Sequence, residues 1–287
     1  MRTASPLRYP GGKWRIAPFF EQLLTMNRLE SVRYVEPYAG GASLALSLLL
    51  RDRVAEIHLN DLAPAIYAFW HSLLTRSRDL IEFIERVPVT PDEWHRQKTV
   101  YGRPGKVGRF ALGCATFFLN RTNHSGILNA GMIGGKKQDG AWTLDARFNR
   151  PELISRVKRI AGYRSRIELS CRDALDVIND FRRSKRTLLY LDPPYYRAGN
   201  HLYMNAYGHD DHVAVRQAVD KVSAPWVVSY DDSPAIRRLY KHMRSQKLHL
   251  LHTARSARDG AEVLFFADGL QIPRGLSMFQ QQRRLAP

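Results

Sequence analysis

Acidic residues are scarce in this chain of 287: 27 Asp plus Glu face 44 Lys plus Arg, a formal net charge of +17. That imbalance points to a polyanionic partner, nucleic acid before any other. Cysteine is scarcer still. Cys114 and Cys171 make no disulfide framework and lack the paired spacing of a zinc site, so both are expected as small core residues and no metal is expected. Long apolar runs are missing too. No stretch approaches the roughly eighteen uncharged residues of a membrane span, and the opening MRTASPLRYPGGKWR has no apolar signal core. Membrane insertion and export are therefore not expected, and a cytoplasmic location is. The sequence also contains no internal repeat, no low-complexity tract and no G-x-G-x-x-G loop to grip a pyrophosphate.

What is present is 44% apolar and 10% aromatic content, enough for one large domain or one domain carrying an insertion. VRYVEPY and AEIHLN read as short strands, followed by the helical patterns GASLALSLLLRD and APAIYAFWHSLL. From about residue 160 the alternation resumes: IELSC, helical DALDVINDF, strand TLLYLD, helical HDDHVAVRQAVDKV, strand PWVVSY and helical SPAIRRLYKHM. KLHLLH and EVLFFA then read as an antiparallel hairpin closing a mostly parallel α/β sheet. Between the halves, residues 63–159 show helical patterns without strand alternation. They are expected as an inserted domain, with 1–62 and 160–287 forming the sheet domain. Within the insertion, Asp139-Gly140 between MIGGKKQ and AWTLD carries the dipeptide favoured in tight hairpin turns. A Lys-bearing hairpin there, with Lys136 and Lys137, is a candidate reader of DNA.

Two coupled sites are expected at the carboxyl ends of the strands, where open α/β sheets bind ligands. VEPYAGGAS places Gly40 and Gly41 after the first strand, where backbone can approach a ligand, and Asp61 ends the second strand about twenty residues on. An acid at that offset suits the hydroxyls of a ribose; an Asp in this position is equally a helix cap. A glycine turn, an acid and no phosphate loop favour an adenosine cofactor without a pyrophosphate, which suggests S-adenosylmethionine. LLYLDPPYY then ends the fourth strand, beside the first, with Asp192. Pro193 and Pro194 stop the strand and offer acceptors only, and Tyr195 presents a flat face. Such a set suits the exocyclic amine of a planar ring, such as N6 of adenine, which must leave the stack of a duplex to reach it. The run His209-Asp210-Asp211-His212 opens a helix, where acids complement the dipole.

LRYPGGKW, YVEPYAGGASL, HLND, LSCRDA and YLDPPYY, in this order, resemble the Dam-like, class alpha (D12 class) DNA adenine N6-methyltransferases over nearly the whole chain. The resemblance implies a Rossmann-like S-adenosylmethionine-dependent sheet interrupted by a helical target-recognition domain, in a bacterial or phage enzyme working on double-stranded DNA at the nucleoid. Tyr9, Gly11, Gly12 and Lys13 of RYPGGK, with Glu36, Pro37 and Ser43 around the glycine turn, would line the cofactor. Tyr9 and Lys13 would meet its methionine end, Asp61 its ribose, Asp173 and Ala174 its adenine. Asp192 would face both cofactor and target amine, and Tyr195 would stack on the extruded base. In FFLNRTNHSGILNAG, Asn120, Arg121, Ser125 and Gly126 follow the family pattern. His124 and Asn129 stand where GATC-methylating members have an intercalating Tyr and a guanine-reading Arg. An Arg suits bidentate guanine contact, so a target other than GATC is expected. Arg8 is a further candidate for base or phosphate contact, as are Arg255 and Arg258 for phosphate. An RNA adenine methyltransferase and a non-catalytic DNA-binding relative are the alternatives, and a monomer and a homodimer are both open.

Overall fold

The computed structural model describes residues 3–9, 12–196, 207–250 and 260–273. Gly11, Arg255 and Arg258 lie outside the described residues. A seven-stranded sheet forms the centre, in the order β3-β2-β1-β4-β5-β7-β6. The strands are β1 (Arg33–Glu36), β2 (Glu56–Asn60), β3 (Ile167–Ser170), β4 (Thr187–Leu191), β5 (Trp226–Asp231), β6 (Arg244–Leu250) and β7 (Gly260–Phe266). The first five pair in parallel, and β7 runs antiparallel to β5 and to β6. This is the mostly parallel Rossmann-like sheet with an antiparallel closing hairpin that the strand pattern predicts. Every residue of β4 is buried, as a central parallel strand covered on both faces requires. The order turns at β1 and β4: β1 leads outward to β2, whereas β4 leads the other way to β5, and the crevice between them is the switch point.

Helix α1 (Ala17–Met26) precedes β1 and α2 (Ser43–Leu49) follows it. Five helices lie between β2 and β3: α3 (Pro64–Thr75), α4 (Ser77–Arg86), α5 (Pro91–Tyr101), α6 (Arg109–Thr122) and α7 (Arg150–Ala161). Thr90 caps α5 by accepting from Glu93 N, and Asn149 caps α7 by accepting from Glu152 N; both helices carry Pro in the first turn. α3 and α6 pack backbone to backbone at Gly113, where a Cβ would lie 2.6 Å from Ala68 O, and Phe69 stacks on Phe117. Buried residues of these helices and of the sheet belong to one continuous hydrophobic core. Among the described residues, three further helices follow β3: α8 (Ala174–Phe181), α9 (His209–Asp220) and α10 (Pro234–Leu239).

Three local expectations are corrected. The strand pair around Asp139-Gly140 does not form. Residues 133–137 are successive turns, and the nearest pairing among described residues is an isolated bridge between Asn123 and Met132. The reason is the Gln138 side chain, which donates to Ile133 O (2.8 Å) and Gly135 O (2.6 Å) and accepts from Leu144 N (2.7 Å). Those side-chain bonds take the groups a ladder would use. Cys171 is exposed rather than in the core, because it follows edge strand β3; Cys114 is buried. Helix α10 stops at Leu239, and strand β6 begins at Arg244. No helix among the described residues is long and apolar enough to cross a membrane.

Candidate active site

The turn after β1 forms the floor of a cleft. Gly40 has φ +46° and Ala42 φ +47°, left-handed conformations that tighten the turn into α2. The ring of Tyr9 lies on this turn: a Cβ on Gly40 would come within 2.7 Å of Tyr9 Cζ, and one on Gly41 within 2.9 Å of Tyr9 Cβ. Both glycines are therefore required by a close approach, to an aromatic ring of the same chain. Trp70 of α3 donates to Gly40 O at 2.9 Å and fixes the turn from the other side.

Asp61, just past β2, reaches back to this turn. Its Oδ2 accepts from Gly40 N and its Oδ1 from Ala63 N, each at 2.9 Å. The carboxylate thus orders both the glycine turn and the entry to α3. Each oxygen retains a lone pair for a ligand hydroxyl. Burial raises its pKa to about 6, against the lowering effect of the two amides. Glu36, at the end of β1, is nearly inaccessible. Burial raises it to about 8, opposed by hydrogen bonds to one oxygen from Tyr34 Oη and Ala45 N, each 3.1 Å.

Asp192 follows β4 on the same side. Its Oδ1 accepts from Ser229 Oγ of β5 at 2.7 Å, and its Oδ2 accepts from Lys13 Nζ at 2.8 Å. Lys13, expected at the methionine end of a cofactor, is ion-paired here. It also donates to Tyr195 Oη at 2.8 Å and lies 3.5 Å from Glu262 Oε1 of β7. Tyr195 donates to Glu262 Oε1 in turn, with its ring centroid 5.2 Å from Lys13 Nζ. Tyr190 and Ser229 hydroxyls meet at 2.8 Å behind Asp192. The result is a continuous polar chain from β4 through the N-terminal segment to β7, in which no charge stands alone.

One cleft of about 910 Å³, including its open mouth, gathers most of the residues expected at a cofactor. Tyr9, Gly12 and Lys13 line one wall, and Glu36, Pro37, Gly40, Gly41 and Ser43 the floor. Asp61, Ala174, Asp192 and Pro194 line it as well. Asp173 is exposed beside it and caps α8 by accepting from Leu175 N at 2.7 Å. The sequence does not reveal Tyr38 and Tyr207, whose hydroxyls meet at 3.2 Å on the cleft, or Ser229 and Glu262. An acid interrupting the apolar run of EVLFFA was the one available signal for Glu262. The His209–His212 run begins α9: Asp211 accepts from Gly208 N at 2.8 Å, and His212 is buried against Tyr230 Oη at 3.1 Å.

Two side chains expected at DNA are bonded within the chain. Asn120 is buried and ties the N-terminal segment to α6: it accepts from Arg8 N and donates to Arg8 O, both at 2.7 Å, and donates to Gly126 O at 2.9 Å. Arg121 is spent similarly, donating to Arg147 O (2.7 Å) and Pro6 O (3.4 Å). Buried polar groups must be satisfied from within, and that requirement takes the Asn120 side chain; Arg121 is half-buried. Arg8 is half-buried, with Nη1 on Asn123 O at 3.1 Å. His124, Ser125, Asn129, Lys136 and Lys137 are exposed. Gly126, at φ +76°, lies where a Cβ would meet Arg8 O at 2.5 Å.

Comparison with solved structures finds distant likenesses. A candidate RNA methyltransferase from Pyrococcus horikoshii aligns at 10% identity and TM-score 0.41, over 91% of this chain and 86% of its own. A candidate class I S-adenosylmethionine-dependent methyltransferase from Listeria monocytogenes aligns at 12% identity and TM-score 0.39, over 96% of this chain and 65% of its own. Neither bears on the residues of the site. A family model matches residues 9–256, and the chain belongs to the D12 class N6 adenine-specific DNA methyltransferase family.

Proposed function

We propose that this protein methylates N6 of adenine at a specific site in double-stranded DNA, other than GATC, with S-adenosylmethionine as donor and the target base extruded from the duplex. The observation that carries this reading is the placement of Asp192 on the same cleft as Asp61 and the Gly40-Gly41 turn. An amine-binding acid is thereby set on the same cleft as an acid suited to ribose hydroxyls.

The lining suits that donor. Asp61 and Asp192 outnumber its one lysine, Glu36 being held largely protonated by burial, which favours a cation. Asp61 offers lone pairs to ribose hydroxyls, and Tyr9 and Tyr38 offer flat apolar faces. Bound there, S-adenosylmethionine supplies a methyl group on a positively charged sulfur, open to in-line attack.

The protein's own work is positioning and electrostatic preorganisation. The lone pair of adenine N6 is delocalised into the ring, so the amine is a weak nucleophile. Asp192, accepting from an N6–H, localises that lone pair and provides an acceptor for the proton that must leave once nitrogen has bonded to carbon. Ser229 keeps Asp192 in place through Oδ1. Tyr195, three residues on, supplies a face for the base. Extrusion costs about a few kcal/mol, offset by phosphate contacts of a chain with net charge +17. We place residues 63–159 in the role of target recognition, with His124, Ser125, Asn129, Lys136 and Lys137 as exposed candidates for contact.

The test compares the protein with Asp192→Ala in cells lacking adenine methylation, mapping N6-methyladenine in DNA and RNA. Methylation of one DNA motif by the wild type and none by the variant is expected. Signal confined to RNA would redirect the assignment, and equal background from both would reject it.

A further inference from the structure

We propose that Glu262 is a positioning residue for methyl transfer: it holds the Tyr195 hydroxyl and receives Lys13 as the target amine displaces Lys13 from Asp192. The proposal rests on the roles given above to Asp192 and Tyr195. Glu262 lies on β7, beyond the residues matched by the family model.

The starting point is that Asp192 is engaged at both oxygens, by Ser229 at 2.7 Å and Lys13 at 2.8 Å. An ammonium so close draws on the same negative charge that must attract the amine hydrogens, so full engagement of N6 requires Lys13 to withdraw. The lysine side chain is only 5% exposed, and a buried cation cannot be left without an anion. Glu262 is an anion within reach. Its Oε1 lies 3.5 Å from Lys13 Nζ, a separation that a sub-ångström movement turns into a full hydrogen bond. Lys13 thus stands between two carboxylates of different character. Asp192 is 23% exposed on the cleft, while Glu262 is 1% exposed and closed to any substrate.

Tyr195 is joined to the same pair. Its hydroxyl accepts from Lys13 at 2.8 Å and donates to Glu262, which sets the angle of the ring offered to the base. β7 makes this possible by running antiparallel to β5, with Glu262 opposite Asp231 and two positions along from Ser229 on the partner strand. One edge of the sheet therefore holds Asp192 through Ser229 and both Lys13 and Tyr195 through Glu262.

The experiment uses the full chain, unmethylated DNA carrying its target motif and S-adenosylmethionine, with Glu262→Gln, Tyr195→Phe and the double variant. Glu262→Gln keeps an acceptor for Tyr195 but removes the anion for Lys13. It is expected to lower kcat about ten- to a hundredfold, with donor affinity by calorimetry changed by less than about threefold. Tyr195→Phe keeps the flat ring and loses the hydroxyl link. If the three groups act as one unit, the double variant loses less than the product of the single losses. A merely structural role would show in melting temperature and leave the losses independent. Melting curves set a temperature at which all variants are folded, so kcat is comparable across the cycle. Wild-type turnover in Glu262→Gln, or independent losses, overturns the proposal. A wild-type chain that binds the donor yet methylates no DNA overturns the proposed function first, and this role with it, before any variant is made.

Discussion

Glu36 and Asp61 stand at the ends of neighbouring strands and share a departure from the ordinary carboxyl range, Glu36 at about 8 and Asp61 at about 6, both raised chiefly by burial. A raised carboxyl pKa means that the fold holds the proton more tightly than the unfolded chain does. The associated stability is fully present below the unfolded value, about 4.5 for Glu. It is lost as pH rises through about 8 for Glu36 and, over a narrower window, through about 6 for Asp61. Glu36→Gln keeps an oxygen to accept from Tyr34 Oη and Ala45 N, the two donors now on Glu36 Oε1, and has no proton to lose. We expect the variant to melt at a temperature nearly independent of pH above 6. At pH 8.5 it should exceed the wild type by on the order of a few kcal/mol. Melting curves from pH 5 to 9 check this, and a variant with the wild-type slope would show that Glu36 is not the titrating group.

At the scale of elements, the helices between β2 and β3 are held to one another by close backbone packing. A Cβ on Gly113 of α6 would meet Ser72 Oγ at 2.4 Å and Ala68 O at 2.6 Å on α3. Gly113→Ala gains about 1 kcal/mol in helix propensity, but the Ala68 carbonyl is backbone and cannot turn away, so overpacking of about 1–3 kcal/mol decides the sign. A lowered urea midpoint with unchanged m-value is the expected result; a raised midpoint would mean that α3 and α6 separate at little cost. The sequence announces these elements unevenly. β4 is plain in LLYLD because an uninterrupted apolar run fits a strand buried on both faces, and Thr90 and Asn149 mark helix starts through local bonds. The cleft follows from strand ends, which is why Asp61 and Asp192 are visible in advance. Glu262 and Ser229 are not, since their roles come from pairings across the sheet: Tyr195 with Glu262 spans 67 residues, and Ser229 with Asp192 spans 37. Asn120 misleads for the same reason, its partner Arg8 lying 112 residues away. The Asp139-Gly140 turn misleads because one side chain, Gln138, replaces the ladder.

At the scale of the molecule, the charge of +17 is the property that the proposed DNA partner would feel first. Part of it is engaged within the chain: Lys13 faces Asp192 and Glu262, and Arg121 is bound to carbonyls of its own chain. Surface cations are what can displace counterions from DNA. Lys136 and Lys137 are exposed on the turn ordered by Gln138; Arg147 is exposed nearby with its guanidinium 5.0 Å from the ring centroid of Trp142, itself 62% exposed. For a duplex, the logarithm of the binding constant falls with the logarithm of salt by about 0.9 per phosphate neutralised. The proposed function therefore predicts a steep salt dependence, with a shallower slope in Lys136→Ala/Lys137→Ala, by about 1 to 2 in that logarithmic measure. Fluorescence anisotropy titrations of a labelled duplex at several salt concentrations give the slopes. Because phosphate contacts carry no sequence information, the double variant should lose affinity about equally for methylated-motif and unrelated duplexes. An unchanged slope would place this turn away from the DNA, and a loss confined to the motif would make the two lysines readers of bases.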